Sequence, residues 1–246
     1  MKYVVLFTLC LMLAGANAQS DLTALLSTTA CSDTEQADDA NRLQAFMDKI
    51  PPAMGNESRQ LRKIFKGLHT EFLKKYTSHS DFNEIFTTGN YDCLTATALF
   101  STVLDQFHYS YEIIETNYHI FLLVKTSKGD VMIESTDAFG GLIADKRFIR
   151  ERVAEYKKNI PVATSSGYVF QYPFSLFQKI SKSNLNGLLY FNQAVKAYNH
   201  HDWEACSVLL EKANAFYSSP RCLALKSLLT QTITISTLNE KHKPTE

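Results

Sequence analysis

The spacing of apolar residues changes twice along this chain, and those changes limit the folds open to it. From Asp33 to Phe107 apolar residues recur every three or four positions. Between Tyr111 and Glu134 they alternate, and from Asp145 the helical spacing returns. Helical segments flanking a block of period two predict an α+β chain in which tight turns pair the strands antiparallel. Before the block, Cys31-Ser32-Asp33-Thr34-Glu35 holds a Ser-x-x-Glu capping box. It opens a helix through Leu43, Phe46, Met47 and Ile50 that stops at Pro51-Pro52. Leu61, Ile64, Phe65, Leu68, Phe72 and Leu73 stripe a second helix over 58–76. A helical turn over 81–86 leads to Gly89, and a third helix runs from Leu94 to Phe107.

The alternating block reads as strands over 111–115, 118–125 and 131–134, with a turn at Ser127-Lys128-Gly129-Asp130, and ends at Gly140-Gly141. A charged helix follows over 145–158, with Phe148, Ile149, Val153 and Tyr156 on one side. Residues 160–172 are mixed, with a strand expected at 167–171. Helices are expected over 174–180, 188–198, 203–216 and 221–235, and a polar tail over 239–246.

Residues 1–18 read as a signal peptide: Lys2, then an apolar run from Val4 to Leu13 too short to span a bilayer, then Ala16-Asn17-Ala18 as a cleavage site. The expectation is export, to the periplasm or outside the cell, with the chain starting at Gln19 and no transmembrane segment. Twenty-five basic residues balance 25 acidic ones, so nothing points to nucleic acid. Cys31, Cys93, Cys206 and Cys222 lie beyond the cleavage site. No CxxC pair or His/Cys cluster has zinc spacing, so neither a metal nor another cofactor is expected. Cys206 and Cys222 read as buried small apolar residues on helices, with a disulfide between them or to Cys31 as the alternative.

Cys93 is the candidate nucleophile. Turn formers, Gly89-Asn90-Tyr91-Asp92, run up to it, and small residues, Thr95-Ala96-Thr97-Ala98, run away from it. This places the thiol at a helix start, where unused N–H groups and the helix dipole favour a thiolate. His119 and then Glu134 follow on adjacent strands. A two- or four-residue loop around Ser127-Lys128 sets Val131 against Val124 and Ile133 against Leu122. His119, Phe121, Met132, Glu134 and Thr136 then share one face. A three-residue loop would set Asp137 opposite His119, so Asp137 is the rival acid. In this reading Cys93 attacks, His119 pairs with the thiolate and moves the proton, and Glu134 orients the imidazole. The Cys93 N–H supplies half of an oxyanion hole, and Asn90 or Tyr91 is a candidate for the other half. The remaining histidines, His69, His79, His108, His200 and His201, read as solvated.

At these residues the chain resembles the transglutaminase-like cysteine superfamily, a branch of the papain-like fold. Its members carry a Cys at a helix start after a Gly/polar loop, a His on one strand and an acid on the next, often in an Asp/Glu-x-Thr element. Here that element is Glu134-Ser135-Thr136, and the likeness covers 61–141. The resemblance implies acyl transfer through a thioester, by peptide or amide hydrolysis or by transamidation. Many members have Trp two residues after the His; Phe121 stands there, which weakens a cross-linking role. Asp137-Ala138-Phe139-Gly140-Gly141 is similar to the Asp-Pro-Phe-x-Gly-Gly ending of a bacterial subgroup with helical repeats. Further on, Ala194, Tyr198, Trp203, Ala205, Leu209 and Ala213 resemble one tetratricopeptide unit, with a capping helix from Pro220.

The expected organisation is a transglutaminase-like domain over 19–172 and a tetratricopeptide-like region over 173–238, packed on the domain as a cap because one repeat cannot bury its own faces. The leading expectation is an exported cysteine hydrolase acting on a peptide or protein substrate. Its rivals are a structural envelope protein and an inactive module of the same fold that docks a partner protein through the C-terminal helices.

Overall fold

The computed structural model describes residues 22–29, 32–158 and 172–241, with side chains through 236. The expected signal peptide, Cys31 and the strand expected at 167–171 fall outside the described residues. The chain forms two compact units, Met1–Lys182 and Ser183–Glu246.

In the first unit, helix α1 (Asp33–Met47) starts at the expected capping box: the Ser32 side chain accepts from Glu35 N, and Glu35 Oε2 accepts from Ser32 N at 2.9 Å. Helix α2 (Glu57–Glu71) is capped by Asn56 and buries Leu61, Ile64, Phe65 and Leu68. It stops five residues short of the expected end. The Lys74 and Lys75 N–H groups donate to Gly89 O instead, at 2.9 and 3.1 Å. Lys75–Tyr76 becomes strand β1, parallel to β2 (Asn90–Tyr91). The close approach requires Gly89: a Cβ there would lie 2.5 Å from Lys74 Cγ, and its φ is +76°. Helix α3 (Glu84–Thr87) lies between the two strands. β2 feeds helix α4 (Cys93–Gln106), which is buried at every position from Leu94 to Leu104.

Five antiparallel strands follow: β3 (Tyr111–Thr116), β4 (Ile120–Thr126), β5 (Gly129–Ile133), β6 (Leu142–Ile143) and β7 (Phe177–Ile180), in the order β6-β5-β4-β3-β7. The β4–β5 register pairs Val124 with Val131 and Leu122 with Ile133, as a two-residue loop requires. One sheet face buries Ile114, Phe121 and Met132 under Ile149, Val153 and Tyr156 of helix α5 (Lys146–Tyr156). Full burial of a side chain such as Phe121 contributes roughly 2–3 kcal/mol. The helix expected over 174–180 is instead β7. Its backbone pairs with β3 from Ile113 to Thr116, and that long-range ladder outweighs local helical spacing. The sheet therefore claims residues up to Ile180, and the first unit runs to Lys182.

The second unit consists of helices α6 (Lys182–Asn199), α7 (Trp203–Phe216) and α8 (Pro220–Lys241). Its core is Phe191, Ala194, Cys206, Leu210, Ala213, Cys222, Leu225 and Leu229. Gly187 lets the start of α6 approach the end of α7, since a Cβ there would lie 2.6 Å from Tyr217 Cβ and 2.9 Å from Ala213 O. The two helices therefore run antiparallel. Cys206 and Cys222 are buried thiols, in no disulfide. Among the described residues no helix is long and apolar enough to cross a membrane.

Candidate active site

Cys93 is the first residue of α4, and the backbone leading to it is held on two sides. Thr77 N donates to Tyr91 O at 2.8 Å, tying β1 to β2. Asp92 then caps the helix: its Oδ1 accepts from Thr95 N at 2.8 Å, and Thr95 Oγ1 accepts from Asp92 N at 2.9 Å. Asp92 is fully enclosed, and burial pushes its carboxyl up to about 6 against the hydrogen bonds from Thr95, Leu94 and His79. The thiol itself is half-buried. The N–H of Cys93 belongs to the first turn, whose donors the helix does not use.

His119 stands at the tight turn between β3 and β4, where Thr116 N donates to His119 O at 2.8 Å and His119 N donates to Thr116 Oγ1 at 3.0 Å. Glu134 follows β5 directly. The register brings the two side chains together as expected, with His119 Nε2 at 2.8 and 2.7 Å from the two carboxylate oxygens. Their side chains are 14% and 5% exposed. Cys93 also acts on this imidazole and raises its affinity for the proton. With Nε2 on the carboxylate, Nδ1 is the nitrogen left for sulfur.

The electrostatics of the pair follow from its surroundings. Burial works to strip the proton from His119. The hydrogen bonds and charges of Cys93 and Glu134 outweigh it and push the imidazole up to about 10. Burial works to raise Glu134, but the hydrogen bond and charge of His119, with the hydroxyls of Tyr156 and Thr136, hold it below the ordinary carboxylate value. Such an imidazole is held as an imidazolium beside the Glu134 carboxylate.

Alternation along the chain separates the next two residues. Glu134 faces His119, whereas the Ser135 hydroxyl lies 3.3 Å from Thr97 Oγ1 on α4 and donates to Cys93 O at 3.4 Å. Thus one dipeptide ties the imidazole and the helix start to the same end of the sheet.

Asp137, the rival acid, serves the turn instead: its Oδ1 accepts from Phe139 N at 3.2 Å and Gly140 N at 2.8 Å. Asn90 Nδ2 donates to Glu84 Oε2 at 3.1 Å, and Tyr91 is buried against Tyr76 and His69. His69 was expected in solvent. It is instead enclosed by Phe65, Phe100 and Tyr91, both ring nitrogens lack a partner among the described residues, and burial pushes it down to about 4 against the charge of Asp137. The signal was present: His69 lies one turn beyond Phe65 on the apolar stripe of α2. Sequence reasoning also missed the role of Tyr156, whose hydroxyl donates to Glu134 Oε2 at 2.5 Å.

A cavity of about 550 Å³ is lined by Asp137, Leu142, Phe148, Arg152 and Glu155 among others; Cys93, His119 and Glu134 do not line it. Among the described residues no group of His, Cys, Asp and Glu could hold a metal ion. No protein-family model matches the chain, and no curated protein matches it in sequence.

Proposed function

We propose that this chain is an exported, transglutaminase-like cysteine enzyme that hydrolyses a peptide or amide bond through a thioester on Cys93. The observation that carries the reading is the buried His119–Glu134 pair at 2.7 Å, with Cys93 among the groups that raise the imidazole. A helix-start Cys, then a His just before one strand and an acid just after the next on an antiparallel sheet, supports a papain-like core. The α6–α7 pair, with Ala194 and Ala213 in its core, supports a tetratricopeptide-like tail. Export rests on the apolar run and cleavage motif of residues 1–18.

The chemistry follows from the geometry. The Cys93 thiolate attacks the acyl carbon, forming a C–S bond, and the charge that develops on oxygen is met by the Cys93 N–H. His119, as imidazolium, gives its proton to the leaving nitrogen as the C–N bond breaks. Neutral His119 next takes a proton from water, which attacks the thioester. The C–S bond breaks, the acid leaves, and the thiolate–imidazolium pair is restored. Glu134 stays ionised throughout and keeps Nε2 protonated.

The test is incubation of the protein with a panel of acylated peptide amides, followed by intact-mass measurement. The expected result is amine release with a transient acyl adduct that maps to Cys93 and is lost in Cys93→Ala. Binding of peptides with no amine release and no adduct would support the inactive docking module instead.

A further inference from the structure

We infer that Tyr156 is a positioning residue of this site: its hydroxyl and that of Thr136 clamp the Glu134 carboxylate so that both oxygens face His119 Nε2, and its ring packs on the imidazole. The inference rests on the active-site reading above and adds a residue to it. Glu134 Oε1 accepts from Thr136 Oγ1 at 3.0 Å, and Oε2 accepts from Tyr156 OH at 2.5 Å. Each oxygen therefore has one hydroxyl donor and one contact with Nε2. A carboxylate held this way cannot turn about its last bond without breaking a hydrogen bond on each side. The Tyr156 ring centroid lies 4.9 Å from that of His119 and 5.3 Å from that of Phe121. The ring thus fixes the imidazole as the hydroxyl fixes its acceptor.

Helix position explains how one residue does both. Ile149, Val153 and Tyr156 share the face of α5 that covers Phe121 and Met132, so core packing sets where the phenol oxygen ends. The hydroxyl keeps Glu134 ionised, because its hydrogen bond adds to those that lower the carboxylate. The charged and titratable groups around the pair are few. His119 faces Glu134 from the β3–β4 turn, and Cys93 faces His119 from α4. Arg152, on α5 itself, acts on the Tyr156 hydroxyl as a positive charge. A phenylalanine at 156 keeps the ring packing and removes the hydroxyl, and with it both the donor to Glu134 and the interaction with Arg152.

The experiment compares iodoacetamide alkylation of Cys93 against pH in the full chain, Tyr156→Phe, Thr136→Val and His119→Ala, with peptide mapping of the modified cysteine. Tyr156→Phe should alkylate about tenfold more slowly at neutral pH, the scale of one hydrogen bond to a charged group. Its reactivity should also collapse at a higher pH on the acid side, since Glu134 without that donor takes up a proton sooner. A purely structural Tyr156 would leave the acid limb in place. Thr136→Val should move the limb in the same direction. A Tyr156→Phe profile that overlays the unmodified one, with His119→Ala slow, overturns the role of Tyr156 and leaves the active site standing. A His119→Ala profile that also overlays it overturns the site itself. Should Tyr156→Phe fail to fold, a nuclear Overhauser contact between the Tyr156 hydroxyl proton and the His119 Nε2 proton in the unmodified protein supports the clamp, and its absence overturns it.

Discussion

Cys93 opens one aspartate-capped helix and Cys206 stands one turn into another, and their surroundings set them further apart. Asp92 caps α4 through Thr95 N, and Asp202 caps α7 through Ala205 N. Cys93 is half-buried and meets an imidazole. Cys206 is wholly enclosed among Phe191, Leu210 and Leu225, and burial, with the charge of Asp202, raises its thiol. An aspartate-capped helix is therefore not enough to set a thiol beside an imidazole. The sheet that carries His119 and Glu134 to the end of α4 provides what the three-helix unit lacks.

The comparison breaks first at the cysteines. Iodoacetamide should label Cys93 on the order of 10³-fold faster than Cys206 or Cys222, because enclosed thiols react only through local opening. Peptide mapping separates these sites, and equal rates would erase the distinction drawn above. Next in size is His119→Ala, which should slow Cys93 alkylation at neutral pH by about 10²-fold, the usual scale of a positioned acid–base group. The same substitution should leave the Cys206 rate unchanged.

A smaller effect sharpens the choice of acid. Glu134→Gln should slow Cys93 alkylation by about tenfold, the worth of a charge-assisted hydrogen bond. Asp137→Asn should change the rate by less than about twofold while lowering stability by about 1 kcal/mol, through the weakened turn at Phe139 and Gly140. The reverse ranking would make Asp137 the orienting acid.

Stability against pH gives the smallest signal. Glu134 is lowered on folding, so its contribution is present above the ordinary value of 4.5 and is lost as pH falls through its lower folded value. His119 is raised, so its contribution is complete below 6.5 and is lost as pH rises through about 10. Urea midpoints of the unmodified chain should therefore fall at both extremes. Those of Glu134→Gln should lose most of the dependence on the acid side.

What was legible in the residues follows the range of the interactions. The β4–β5 register could be read because alternation and loop length are local, and register carried Glu134 to His119. The capping box at Ser32 and the helix start at Cys93 are local as well. Strand β7 could not be read, because its partner β3 lies about sixty residues earlier and its own residues are compatible with a helix. The early stop of α2 has the same origin, since Lys74 and Lys75 leave the helix for Gly89. Tyr156 was placed on the apolar face of its helix, but its bond to Glu134 depends on how that helix crosses the sheet. His69 is the opposite case: its place on the apolar stripe is local and legible, and it outweighs the polarity of the imidazole.

The central claim is that His119 is an imidazolium held by Cys93 and Glu134 together. Titration of the His119 ring by nitrogen-15 NMR, in the unmodified chain and in Cys93→Ala, tests it most directly. The account predicts that His119 stays protonated well above neutral pH, with a midpoint up to about 10, and that the midpoint falls when the thiol is removed. A midpoint near the ordinary 6.5 in the unmodified chain, or one that Cys93→Ala leaves where it was, would contradict the account.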